Sequence, residues 1–162
     1  MEENSNKQEL VDSLAGVNLF NGLDAGQLGM LAGHFRKVRE PAGTVLLEEG
    51  VRGTALQIVL DGTVRVFLPA DPENGGRPAE VKLATMGPGD LFAEYGFVDL
   101  RPASASVAAL EDCTLLQIDY HDLHRVLDED SALARTFYEN LLLLLIDRLR
   151  ASDQELDLFA GF

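Results

Sequence analysis

A chain of 162 residues is the size of one domain, and 46% apolar content is enough to build a core. Thirteen Lys and Arg against 27 Asp and Glu leave a formal net charge of −14. That balance excludes an unaided nucleic-acid binder and repels anionic membranes, because both tasks need a basic face.

Cys113 is the only cysteine, so no internal disulfide forms and the composition fits a reducing compartment. Its setting, "CTLLQI", is that of a buried structural thiol rather than a nucleophile. The opening "MEENSNKQEL" has neither the basic nor the apolar region of a secretory signal. The longest apolar run, Leu141 to Ile146, is too short to span a bilayer. The expectation is a cytoplasmic protein with no nucleic acid and no membrane among its partners.

In chain order, the first ten or so residues are polar and expected to fray. "LDAGQLGMLAGHF" follows with helical spacing of Leu28, Leu31 and Phe35, and Asp24 with Gln27 makes a capping box. From Lys37 to Tyr120 the apolar period becomes two. "TVLLEEG" leads to "TALQIVLDGTVRVFL", in which Leu56, Ile58 and Leu60 alternate, then Val64, Val66 and Leu68. The intervening Asp61-Gly62 predicts a two-residue hairpin. "PADPENGGRPA" is a polar loop, "EVKLATM" a strand, and "SASVAALEDCTLLQIDY" two more strands broken at Glu111-Asp112. Many short strands with regular turns predict an antiparallel sandwich, jelly roll or barrel. "DYHDLHRVLDED" is a short helix, and a long one runs from Ser131, as N-cap, to about Ser152. That last helix has two apolar stripes, one through Phe137, Leu141 and Leu144, the other through Tyr138, Leu142, Leu145 and Leu149. One stripe packs within the chain, and the second is expected to meet a second subunit.

The order of these elements, with "LFNGLDAGQLGMLA", "EPAGTVLLEEGVRGTALQIVLDGTVRV" and "LATMGPGDLFAEYGFVDLRPASASV", resembles the cyclic-nucleotide-binding domain family. The resemblance implies a mainly β fold with flanking helices: an antiparallel β-roll, short N-terminal helices and a long C-terminal helix. It divides the chain into a flexible or helical N-terminal segment (1–18), a binding domain that includes the last helix (19–152) and a tail (153–162).

In the family a cassette of Phe-Gly-Glu, a short helix, Pro-Arg and small residues holds the cyclic phosphate, its arginine neutralising the charge and its glutamate accepting from the ribose hydroxyl. On that pattern Glu94 stands at the ribose-binding position. Ala93 replaces the glycine before it, and Tyr95 follows in the short helix. Pro102 matches the proline, Ser104 a phosphate-contacting position, Ala105 its small neighbour, and Ser106 a position from which a hydroxyl reaches the base. Ala103 stands where the phosphate arginine belongs. Losing a bidentate charge-assisted bond costs about one to two orders of magnitude in affinity. Arg101 lies two residues away, on the same side of an extended segment, and is a candidate replacement; its other reading is an exposed loop residue. Arg65, Arg77 and Lys82 are further cations that the roll can bring near.

The implied ligand is cyclic AMP or cyclic GMP, with no other cofactor and no metal. Two readings follow: a regulatory nucleotide sensor that signals through its last helix, or a degenerate dimeric interaction scaffold. A metal-dependent jelly-roll enzyme is a third class, but His34, His121 and His124 lie outside the strands that would carry such a site. His121 and His124 are expected as exposed helix residues, and the protein is not expected to be an enzyme. Transcriptional relatives carry a helix-turn-helix after the long helix; here about ten residues follow it. Output is expected through a homodimer of the 131–152 helix and an unknown protein partner. The tail residues Leu156, Leu158, Phe159 and Phe162 either dock on such a partner or fold back on the roll.

Overall fold

A computed structural model describes residues 2–74 and 76–161; Phe162, part of the expected tail motif, lies outside the described residues. The chain divides into a β unit, Gly33–His124, and a helical unit made of the residues up to Ala32 and from Arg125 onward.

The β unit holds eight strands in two antiparallel sheets. They are β1 (Arg36–Glu40), β2 (Val45–Leu47), β3 (Ala55–Asp61), β4 (Val64–Leu68), β5 (Val81–Met86), β6 (Leu91–Phe92), β7 (Ser106–Ala109) and β8 (Cys113–Asp119). One sheet runs β1-β8-β3-β6, the other β2-β7-β4-β5. Val59, Val64, Phe92, Val107, Ala109, Cys113 and Leu115 form a core shared by the two sheets. Burial pushes the Cys113 thiol pKa up, against a smaller opposing effect from its hydrogen bonds to the Glu111 and Thr63 carbonyls. The fold is the antiparallel roll the strand pattern predicts.

The expected hairpin at Asp61-Gly62 does not form. β3 pairs with β8 and β6, and β4 with β7 and β5, so the turn carries the chain from one sheet to the other. A roll needs such corners, and short-range alternation cannot tell a corner from a hairpin. Gly62 is required there: its φ is +87°, and a Cβ would stand 2.6 Å from the Asp112 carbonyl oxygen. β3 is buried from Ala55 through Val59, on both faces.

The helical unit contains α1 (Glu2–Ala15), a 3-10 turn (Asn18–Phe20), α2 (Ala25–Ala32) and α5 (Ser131–Ala160), while the expected short helix, α4 (Tyr120–Glu129), begins with the last residues of the β unit. The capping box is formed: the Gln27 amide donates to Asp24 Oδ1 at 2.8 Å and the Asp24 amide to Gln27 Oε1 at 3.0 Å. The N-terminal segment, expected as flexible or helical, is helical from Glu2, with Leu14 fully buried. Two expectations change here. Asp130, not Ser131, caps α5, its Oδ1 accepting from the Leu133 amide at 3.0 Å. Finally, α5 continues to Ala160 rather than stopping near Ser152, because no glycine or proline interrupts it before Gly161.

The two stripes of α5 differ as expected. Leu133, Phe137 and Leu141 are buried, with the Phe137 ring 6.4 Å from that of Phe20. Asn140 Nδ2 donates to the Leu19 and Asn21 carbonyls at 2.9 and 2.8 Å. Leu142, Leu143 and Leu149 remain 59–64% exposed, and Ile146 42%. Leu156, Leu158 and Phe159 are exposed as well. Among the described residues no helix is long and apolar enough to cross a membrane.

Candidate functional site

The segment from Phe92 to Ser106 wraps around one short helix, α3 (Glu94–Asp99), within the β unit. Phe92 anchors its start in the core. Ala93 then takes a left-handed conformation (φ 67°, ψ 16°), and Leu100 takes another at the far end (φ 59°, ψ 19°). Both are costly for a residue with a Cβ, at roughly 1–2 kcal/mol each. A glycine at position 93 would remove that penalty, and its replacement by Ala93 has a visible conformational cost.

Glu94 opens α3 and is 4% exposed. No buried side-chain nitrogen or oxygen among the described residues lacks a hydrogen-bond partner. Tyr95 points into solvent, and Phe97 is fully buried. Arg101 is exposed, and its amide donates to Asp99 Oδ1 at 2.9 Å. Ala103 is half-buried, and its backbone pairs with the loop after β2. The Gly50 amide donates to the Ala103 carbonyl and the Ala103 amide to the Val51 carbonyl, both at 2.9 Å. Ser104 is exposed and Ala105 half-buried. Ser106 is buried, and its Oγ accepts from the Glu49 amide at 2.9 Å. All eight sequence-selected residues lie on one continuous segment that runs through α3 to the first residue of β7, where the Glu49 amide engages the Ser106 hydroxyl.

What holds this segment in place was not legible as a site. The Tyr120 hydroxyl donates to the Ala93 carbonyl, and the Tyr120 amide donates to Thr54 O at 2.9 Å. The Tyr120 ring lies 5.8 Å from that of Phe97. Glycines make room for it: a Cβ on Gly53 would stand 2.9 Å from the Tyr120 hydroxyl, and one on Gly96 3.1 Å. Burial, then the charges of Glu94 and Asp99, push the phenol pKa up to about 12.

His124 departs from the exposed position expected of it. The residue is half-buried; its ring stacks on Phe97 at 4.2 Å, and its Nε2 lies 3.1 Å from the Phe97 carbonyl oxygen. The aromatic face of Phe97 supplies the apolar surface that draws the imidazole in. His121 is exposed.

Of the cations the roll offered, Arg65 pairs with Glu80 and lies 3.8 Å over the Phe67 ring. Lys82 is exposed on β5. Arg77, from the loop between β4 and β5, grips Glu49 with both terminal nitrogens, Nη1–Oε2 at 2.9 Å and Nη2–Oε1 at 3.1 Å. Its Nη1 also donates to the Pro69 carbonyl at 2.7 Å. That fork holds the Glu49 carboxyl below its ordinary pKa.

A two-sheet roll carrying a buried glutamate at the head of a short helix, followed by a Pro and small-residue turn, defines a ligand-binding regulatory fold. The family model described as cyclic nucleotide-binding domain matches residues 37–130, and the chain belongs to that family. It is 35% identical over 147 residues to a cyclic AMP receptor protein of Thermus thermophilus, covering 91% of this chain and 64% of that one. The crystal structure of the Thermus thermophilus catabolite activator protein superposes with a TM-score of 0.71 at 34% identity, over 88% of this chain and 63% of that one. A cyclic nucleotide-binding domain from Methylobacillus flagellatus shares the fold at a TM-score of 0.78 and 24% identity, over 94% of this chain and 83% of that one. The chain thus spans just under two thirds of the length of its Thermus relative.

Proposed function

We propose that this chain is a ligand-sensing regulatory module whose cassette, Ala93 to Ser106, binds a cyclic nucleotide, with Glu94 as the ribose acceptor. The observation that carries this reading is Glu94 itself. A carboxylate that is only 4% exposed is expensive to keep unless it is hydrogen-bonded and used, and it stands where the family places its ribose contact. Ser104 is open to solvent beside it, and the cassette backbone is pinned at Ala93 and Ala103.

The regulatory output passes through α5, whose exposed stripe of Leu142, Ile146 and Leu149 fits a second copy of the same helix. An exposed apolar stripe from Tyr138 to Leu149 on this helix favours self-association over an isolated surface. Leu142→Glu with Leu149→Glu is expected to convert a dimer into a monomer in sedimentation velocity; a monomeric parent protein refutes the pairing.

The absence of an arginine at position 103 favours a second reading, a scaffold that binds no cyclic nucleotide. Calorimetry with cyclic AMP and cyclic GMP separates the two. Binding weakened about tenfold or more by Glu94→Ala supports the sensor, since one bond to an ionised group carries that much. Absence of heat at millimolar nucleotide supports the scaffold.

A further inference from the structure

We propose that Arg77 is the phosphate-binding cation of this cassette, supplied from the loop between β4 and β5 in place of the arginine missing at Ala103. The assignment rests on the cyclic-nucleotide reading above and extends it to a residue outside the cassette.

The argument begins with position. Glu49, which Arg77 grips, is the residue whose amide bonds Ser106 Oγ at 2.9 Å. The next residue, Gly50, bonds the Ala103 carbonyl, and Val51 accepts from the Ala103 amide. Arg77 is therefore tied, through one side-chain pair, to the segment that lies against Ala103 and Ser106. Arg101 lies within the cassette but its side chain is exposed, and the Arg65 guanidinium is already held on Glu80 and the Phe67 ring.

Donor chemistry gives the second step. A guanidinium has five N–H donors in a planar fork. Arg77 spends two on Nη1, toward Glu49 Oε2 and Pro69 O, and one on Nη2, toward Glu49 Oε1. Among the described residues, the Nε–H and the second Nη2–H have no acceptor. These two point the same way along one edge of the plane, the geometry that grips a phosphate bidentately. Glu49 occupies the end of the fork and orients it, so the side edge can engage an anion without the Glu49 pair breaking. The pair is partly solvated, with side chains 23% and 29% exposed, which leaves an anion room to approach.

The test is calorimetric titration of cyclic AMP and cyclic GMP into the parent chain, Arg77→Ala, Arg77→Lys, Ala103→Arg and the double change Arg77→Ala with Ala103→Arg. Arg77→Ala is expected to weaken binding about tenfold to a hundredfold, with Arg77→Lys in between because it keeps charge but loses the fork. Restored affinity in the double variant supports the assignment, because it shows a missing cation rather than a damaged fold. Binding of Arg77→Ala within about twofold of the parent overturns the assignment and leaves the nucleotide reading standing. Binding by Ala103→Arg alone, with a silent parent, overturns it as well, since Arg77 then fails to replace the lost group. Silence of every variant refutes the nucleotide reading and the assignment together.

Discussion

Tyr120→Phe removes one hydroxyl from the point where the cassette is pinned. The oxygen is held between Gly53 and Gly96 and donates to the Ala93 carbonyl. A neutral intramolecular hydrogen bond contributes about 0.5–1.5 kcal/mol net. The ring packing on Phe97 survives the change, and the half-buried position lets water reach the Ala93 carbonyl, so the loss should be about 1 kcal/mol. The phenol supplies a second, independent readout. Its pKa stands near 12 in the folded protein against an ordinary 10, so the folded state keeps its proton where the unfolded chain has released it. Stability from this source is complete below pH 10 and declines as pH rises toward 12. Two pH units correspond to about 2.7 kcal/mol in a fully desolvated site, and partial exposure reduces this to the order of 1 kcal/mol.

Urea unfolding across the alkaline range is the assay. The parent chain should lose stability steadily above pH 10, and Tyr120→Phe should lose less over the same span. Tyr138 is also shifted upward, mainly by burial, but both proteins share it and it cancels in the difference. Hydrogen exchange should localise the neutral-pH effect to Ala93 through Leu100. Identical stability at neutral pH together with an identical alkaline slope would refute the claim that this hydroxyl pins the cassette.

Other substitutions test separate links. Ala93→Gly should stabilise the protein by about 1 kcal/mol in chemical denaturation, because it removes a left-handed alanine. Gly62→Ala should cost about 2–4 kcal/mol, combining a forbidden φ with a clash on the Asp112 carbonyl, and should lower the thermal midpoint accordingly. Gly53→Ala drives a Cβ toward the Tyr120 hydroxyl; in a double-mutant cycle with Tyr120→Phe its cost should shrink by about 1 kcal/mol, since the hydroxyl it displaces is gone. Asp130→Ala should cost about 1 kcal/mol of stability through the lost cap of α5.

The roll was readable because its strands are short, alternating and separated by Gly- and Pro-rich turns, and because the capping box at Asp24 is a local signal. The sheet change at Asp61-Gly62 was not, since pairing partners are set by contacts dozens of residues apart: Val64 opposes Ala109, and Val59 opposes Leu115. The first ten or so residues read as polar, and Glu3 to Glu9 stay exposed on α1; the burial of Leu14 near the end of that helix has no local signal. The cassette was found from residue types alone. Its supports Tyr120 and His124 were not, because they sit in what looks like an ordinary helix start; Arg77 was readable only as one of several cations that the roll can bring near, in a loop that is otherwise polar. Nothing in a linear pattern ties Gly53 to Tyr120; only the close approach of the two does.

The conformation at Ala93 and Leu100 bears on why those supports exist. Each end of α3 is a left-handed turn made by a residue with a side chain, and a helix of six residues has too few internal hydrogen bonds to hold such ends by itself. The cost, roughly 1–2 kcal/mol at each end, must be offset by contacts made elsewhere. The Tyr120 hydroxyl on the Ala93 carbonyl offsets it at one end; at the other, the Leu100 amide closes the helix's own last turn on the Gly96 carbonyl. Between them His124 stacks on Phe97 and reaches its carbonyl. Tyr120 and His124 are one helical turn apart, so they present to the same side of the helix start. Displacing α3 therefore means breaking contacts to both residues at once, and the cassette and the first turn of the following helix behave as one mechanical piece.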